Sequence, residues 1–247
     1  MKVNIFLFVL YLLLAIGCKN TTTPKEENLS TQKITKPCDG YNLSLKDALQ
    51  QSKKPCSVFI SNVDDFPIEL NNLLNLEELT LHNCSIDSFP DNFAHNSKLK
   101  ALMIGSMSVL PSQIDLLNHL EVLYLAKNTI PNIEDKLCNM SNLKALHLID
   151  NKENSDSLFS CIGRFKNLET FYLGASNIQR LPKEFGELTE LREIGIAMTG
   201  LKTIKDNLQK MKNLKKLHLE DNELSAEEIS FLKEKYKDID LVINQKN

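Results

Sequence analysis

The side chains best suited to chemistry in this sequence are five histidines, six cysteines and a few tyrosines. His82, His147 and His218 share one local setting, each following a Leu in an alternating apolar stretch, which places them on strands. A shared metal needs ligands within a few ångströms of one ion. His147 and His218 belong to strands three apart, which at about 4.8 Å per strand is roughly 14 Å, too far for that. His95 and His119 precede strand starts and read as surface residues. There is no C-x-x-C pair, no H-E-x-x-H helix, no glycine-rich phosphate loop and no G-x-S-x-G elbow. Cys38-Asp39 reads as part of a terminal cap and not as a nucleophile. No catalytic group, metal or cofactor is expected.

What positions these side chains is a repeated unit. Residues Leu120 to Pro131 read L-E-V-L-Y-L-A-K-N-T-I-P, or L-x-x-L-x-L-x-x-N-x-I. The first Leu returns at Leu76, Leu99, Leu120, Leu143, Leu168, Leu191 and Leu214, in steps of 23, 21, 23, 25, 23 and 23 residues. Apolar pairs follow three and five places on, from Leu79/Leu81 through Phe171/Leu173 to Leu217/Leu219. A degenerate copy upstream carries Val58 and Ile60 and closes with Phe66-Pro67, and Leu241 to Ile243 offers an edge strand. In pattern and period the sequence resembles the leucine-rich repeat family. The resemblance covers about residues 55–243. It implies an α/β solenoid with a curved parallel sheet on the concave side. Short helices or 3-10 turns are expected on the convex side, and helical caps at the ends. A lone repeat buries too few side chains to offset the ordering of its backbone, so the array is expected to fold cooperatively.

The lane ten places after the first Leu reads Ile86, Val109, Ile130, Glu153, Ile178, Leu201, Leu224 and is expected in the core. The lane eight places on, where the family has Asn bonding orphaned backbone groups, reads Cys84, Met107, Asn128, Asn151, Ser176, Thr199, Asn222. Met107 cannot make such bonds, and its repeat is the shortest, so the ladder should be irregular there. Cys84 is expected to be a buried structural thiol. The two extra residues in the Leu143 repeat, within Lys152 to Ser157, should bulge outward. Pro90, Pro111, Pro131 and Pro182 open return segments where no ladder donor is needed.

The ends divide the chain further. Residues 1–17 read as a signal peptide: Lys2 is the positive start and Ile5 to Ile16 form an apolar run of 12 residues. A membrane span needs about 20. Leu14-Ala15-Ile16-Gly17-Cys18 resembles the bacterial lipoprotein box. That implies lipid attachment at Cys18, with a plain secretory signal as the alternative. Residues 18–37 are polar, a flexible tether. Lys25-Glu26-Glu27 resembles the charged signals that send some Bacteroidetes lipoproteins to the cell exterior. These features imply a lipid-anchored protein of the bacterial envelope, at the outer membrane or the cell surface. Residues 38–56 form an N-terminal cap, with Ser44 capping a short helix. Residues 57–224 carry about eight repeats, and 225–247 form a C-terminal cap. There Ser225 and Glu228 resemble a capping box and Ile229, Leu232 and Tyr236 a covering stripe. In an oxidising compartment Cys38 and Cys56 form a disulfide or remain two free thiols, and Cys138 and Cys161, on adjacent return segments, could pair. With Cys84, at least one of these five stays single in a monomer.

The formal charge is −3, with 29 basic and 32 acidic side chains and no basic tract, which disfavours nucleic acid. Strand alternation turns one lane towards the concave face: Phe59, Thr80, Met103, Tyr124, His147, Tyr172, Gly195, His218. The next outward lane is mostly small: Ser61, His82, Gly105, Ala126, Ile149, Gly174, Ala197, Glu220. Large anchors beside small neighbours suit a protein partner, bound through Phe59, Thr80, His82, Met103, Tyr124, His147, Tyr172 and His218. The alternatives are glycan or peptidoglycan stacked on Tyr124 and Tyr172, or a purely structural role in the envelope, in which the stripe is cross-strand packing.

Overall fold

The computed structural model describes residues 43–50, 56–129, 136–151 and 159–244. Within them runs one sheet of ten strands, all parallel and in sequence order. The strands are β1 (Leu43–Ser44), β2 (Ser57–Ser61), β3 (Glu78–His82), β4 (Ala101–Gly105) and β5 (Val122–Ala126). They continue as β6 (Ala145–Ile149), β7 (Thr170–Gly174), β8 (Glu193–Ala197), β9 (Lys216–His218) and β10 (Asp240–Val242). Parallel neighbours need a crossover, and here each crossover is a return segment of one repeat. The result is the leucine-rich repeat solenoid that the period implied.

Each repeat folds inward for the same reason. Its first Leu and the two apolar strand residues are sealed in the core: Leu76, Leu79 and Leu81 are fully buried, and their counterparts from Leu99 to Leu219 are all buried. Proline then starts the return. The carbonyls of Pro67, Pro90, Pro111 and Pro182 accept from the N–H three residues on, at Leu70, Phe93, Ile114 and Phe185. Those four side chains are buried and close the core from the convex side. The turns so started are the 3-10 segments Ile68–Asn72, Ile114–Leu116 and Lys183–Glu187, joined by Phe159–Arg164 and Asn207–Lys210, and a short helix at Asp91–Ala94.

Two expectations fail here. Val109 is exposed, and its neighbour Leu110 is buried instead. The short repeat has lost two residues between the turn and its Pro, so Leu110 occupies the place before Pro111 that Phe89 and Leu181 hold before Pro90 and Pro182. Nor is the ladder irregular at Met107: β4 pairs with β5 over all five residues. The Asn of the following rung supplies what Met107 lacks. Asn128 Oδ1 accepts from the Met107 N–H at 2.9 Å, and its amide donates to the Ile104 carbonyl at 3.2 Å. Asn222 does likewise for its predecessor, accepting from Thr199 N and Oγ1 and donating to Ile196 O. The Asn lane therefore ties rungs together and does not merely close its own turn. Cys84 is free and buried.

The caps use the same idea. Ser44 caps the helix Leu45–Gln50, its Oγ accepting from the Asp47 N–H. Ser225 caps Ala226–Lys235 by accepting from Glu228 N. The Glu228 carboxylate does not complete a capping box. It is buried and accepts from the N–H groups of Ile204 and Lys205 at 2.7 and 2.8 Å. Leu232 is fully buried under this helix. Cys138 and Cys161 form a disulfide across adjacent return segments, with Cα atoms 5.6 Å apart. Cys56 is disulfide-bonded. Cys18, Cys38, Ile130, Pro131 and Glu153, with the expected leader, tether and bulge, lie outside the described residues.

Candidate functional site

The register sets the concave lane in one row across the sheet: Phe59, Thr80, Met103, Tyr124, His147, Tyr172, Gly195 and His218 are successive Cα partners. The eight suggested partner-binding residues all lie on this face, His82 in the adjacent row. They are not equally open. Thr80 and Tyr124 are buried, as is His147, while Phe59, His82, Met103, Tyr172 and His218 are half-buried. The Thr80 hydroxyl makes a weak contact with Met103 Sδ at 3.9 Å.

The centre of the row is a stack. Tyr124 and His147 lie 5.4 Å apart between ring centres, His147 and Tyr172 5.0 Å, with the second pair nearly parallel at 10°. Parallel strands in register place like positions one strand spacing apart, so flat rings in consecutive rungs meet face to face. Beyond Tyr172 the row has Gly195, and a Cβ there would fall 2.3 Å from the Tyr172 ring. The same lean recurs: a Cβ on Gly105 would meet the His82 ring at 3.1 Å, and one on Gly174 would meet Ile149 at 3.2 Å. Large side chains tilt over the glycine of the next rung. The small lane is thus not vacant room for a guest, as its composition suggested. Its glycines are already covered by neighbours.

Burial controls the titration of the stack. It holds His147 down to about 4 and pushes Tyr124 up to about 12. Tyr172 is raised above the ordinary tyrosine range, first by burial, then by the carboxylates of Glu193, Glu220 and Asp240, with Glu193 also its hydrogen-bond partner. His82 is lowered by burial and by the Lys127 ammonium. At neutral pH the stack is uncharged.

A third concave lane escaped sequence reading: Ser57, Glu78, Ala101, Val122, Ala145, Thr170, Glu193, Lys216, Asp240. The strand alternation that gave the other two also gives this one, two residues earlier. It holds charge at its ends and small or apolar groups between. Lys216 Nζ lies 3.3 Å from Glu193, and His218 lies 3.4 Å from Asp240. Around Tyr124, an apolar cluster separate from the main core forms on this face, of Tyr124 and Ala126 with Met103 and Ile149 packed against them. Among the described residues no group of three or more His, Cys, Asp or Glu side chains could hold a metal ion, and no helix is long and apolar enough to cross a membrane.

Just before each strand, charged residues alternate along the array: Glu77, Lys100, Glu121, Lys144, Glu169, Arg192. Glu121 is paired with Lys100 and Lys144, and Arg192 with Glu169. Lys100, Glu121, Lys144 and Glu169 line a recess at the strand starts. Each pair is worth little in stability.

A family profile described as Leucine Rich Repeat matches residues 75–96. No curated protein matches the chain by sequence. Among solved structures, a leucine-rich repeat protein of Leptospira interrogans is similar, with TM-score 0.62 and 22% identity over 83% of this chain and 53% of that one. Internalin C2 of Listeria monocytogenes gives 0.54 at 20% identity, over 75% of this chain and 77% of that one. Another internalin of the same organism gives 0.51 at 20%, covering 78% and 62%. The likeness is one of fold, and the chain spans about half the length of the Leptospira protein.

Proposed function

We propose that this chain is a leucine-rich repeat scaffold, tethered to the bacterial cell envelope by a lipid on Cys18, that binds a protein partner on its concave face and carries out no catalysis. The observation that supports the reading best is the second apolar cluster. Met103, Tyr124, Ala126 and Ile149 gather apart from the core, on the face that the return segments do not cover. Tyr124 and Ala126 are already buried there, and Met103 and Ile149, half-buried against them, are the apolar surface left for a partner to cover. The sugar-binding alternative is less well supported. It needs free ring faces on Tyr124 and Tyr172, but Tyr124 is buried against His147, and Tyr172 lies between His147 and Gly195.

Site-specific photocrosslinking in the source cells tests the site. A photoreactive side chain at Met103 should trap a protein, and one at Leu116, exposed outside the concave lanes, should not. Equal trapping at both, or glycan in place of protein at Met103, would remove the reading. The envelope address is tested by protease treatment of intact cells beside a Cys18→Ala variant. Release of the variant in soluble form is expected; continued attachment sinks the lipid anchor. Cleavage on intact cells places the solenoid outside, and protection until the outer membrane is broken places it in the periplasm.

A further inference from the structure

The concave face is not uniform along its length. Its middle is apolar, as just described, and its far end is acidic. Glu193, Glu220 and Asp240 come from three successive rungs, and the carboxylates of all three act on the Tyr172 hydroxyl. Against them stand Lys216, committed to Glu193 at 3.3 Å, and His218, beside Asp240 at 3.4 Å. With Glu193 and Lys216 cancelling, the end keeps a net charge of −2 from Glu220 and Asp240 when His218 is neutral. Asp240 is half exposed and free to meet a further cation.

Lys216 adds an observation of another kind. Its ammonium is buried, its side chain only 10% exposed, and it makes no hydrogen bond among the described residues despite the ion pair. Buried donors are normally satisfied, so this ammonium, with N–H groups unused and no open surface of its own, gains a further acceptor only if a neighbouring side chain moves aside. An extended polypeptide brings both requirements together: carbonyl acceptors along its backbone and a long cationic side chain for the carboxylates.

The spacing can be read from the sheet. From the apolar cluster, centred on β5, to β9 is four strand steps, or roughly 19 Å at about 4.8 Å each. We propose that the concave face takes an extended protein segment with apolar side chains on the Met103–Tyr124–Ile149 cluster and a Lys or Arg, about six residues away, between Glu220 and Asp240. This rests on the concave-face reading above and gives its partner a chemistry. Because Asp240 is solvent-facing, the charged contact contributes specificity and association rate and weakens with salt.

The test uses the intact chain and a displayed library of random 12-residue peptides. Selected peptides should carry Lys or Arg five to seven residues from Leu, Ile, Val or Phe. A synthetic peptide of that kind should bind Glu220→Lys/Asp240→Lys at least tenfold more weakly, and exchanging its basic residue for Glu should restore part of the loss. Melting curves within a few degrees of wild type show that the variants are folded. Selected peptides without a basic residue at that spacing, or unchanged affinity for the double-Lys variant, overturn the proposal. If the same peptides lose binding to Ile149→Glu but not to the double-Lys variant, the concave site stands and the basic partner falls. If neither variant matters, or no peptide is selected, both readings fall together.

Discussion

The two faces of the one sheet are built from the same strands and obey different rules. Phe171 and Tyr172 are adjacent on β7, yet Phe171 is fully buried in a core of Leu, Ile and Phe, while Tyr172 leans on a ring before it and a glycine after it. The core face asks only for an apolar side chain of suitable volume, and its partners lie in the same rung as well as neighbouring ones. The concave face asks for a particular neighbour in a particular order. From Met103 onward, each large group in the row is followed, one rung on, by a flat ring or by glycine. The difference is sharpest in a pair of variants. Phe171→Ala should cost about 3–5 kcal/mol, as expected for an aromatic removed from a sealed core. Tyr172→Ala, one residue along, should cost less than half as much. Urea denaturation of both checks it, and equal losses would mean the concave rings are core in all but position.

The next largest effect separates the faces by pH, since the core-facing strand residues are aliphatic or Phe and carry no ionisable group. His147 is held near 4 by burial, against 6.5 for an ordinary histidine. The sign follows directly. Above pH 6.5 the ring is neutral in folded and unfolded chains alike, and its contribution is fully present. As pH falls from 6.5 towards 4, the unfolded chain takes up a proton that the folded chain refuses, so stability is lost through that window. The loss approaches ~3 kcal/mol at the low end. Glu78, whose carboxyl burial raises, also titrates in acid but is common to wild type and variant. The stability difference between wild type and His147→Phe should therefore tilt towards the variant as pH falls from 6.5 to 4. A flat difference would place His147 in water.

Within the turns, Asn128 and Cys84 hold the same lane position and make a smaller contrast. Asn128→Ala orphans the Met107 N–H and the Ile104 carbonyl, both buried, and should cost about 2–3 kcal/mol. Cys84 makes only weak thiol contacts to the His82 and Ile60 carbonyls, so Cys84→Ala should cost under about 1 kcal/mol. Thermal melts of the two variants decide it.

These contrasts also mark what the sequence could show. Core positions were legible because each repeat spends the same residue type at the same spacing, and seven copies average out the noise. Where a repeat changes length the averaging fails, and the period puts Val109 at a core place that Leu110 fills. The concave row was legible as a row, since alternation is strict. Its packing was not, because whether Gly195 is open space or lies under Tyr172 depends on side chains in different rungs. The Asn lane is similar: its side chains bond the rung before their own, so the Met107 N–H is served by Asn128 and not by Met107 itself.

The lean of Tyr172 over Gly195 can be broken from either side. Gly195→Ala places a methyl within 2.3 Å of the ring and forces it to move, at a cost of about 1–2 kcal/mol. In a Tyr172→Ala background the same change should be close to neutral, because the space is then empty. The double-mutant cycle reads the coupling directly. Additive losses would show that the glycine is there for its backbone and not for its neighbour.

The smallest effect concerns a lane with no shared residue type at all. The residue that ends each strand turn has positive φ, between 51° and 57°, at Asn62, Asn83, Ser106, Lys127, Asp150, Ala175, Met198 and Asp221. Asn and Asp tolerate this region because their short polar side chains bond locally, whereas Ala, Met and Lys have no such relief. An L-residue other than glycine costs about 1–2 kcal/mol there, and glycine gives back about 0.5–1 kcal/mol of that in lost chain entropy. Ala175 is exposed, so its methyl packs against little. Ala175→Gly should therefore stabilise the chain by about 0.5 kcal/mol, the balance of those two quantities. Asn83→Gly should do nothing or slightly harm, since Asn83 also donates its amide to Asn62 at 2.7 Å. The same substitution on the concave face, at Ala197 one residue before Met198, lacks a positive φ to relieve and should destabilise. Three melts, ordered Ala175→Gly above wild type and Ala197→Gly below it, would show that the turn geometry, repeated eight times in the described residues, is what the varied side chains have in common.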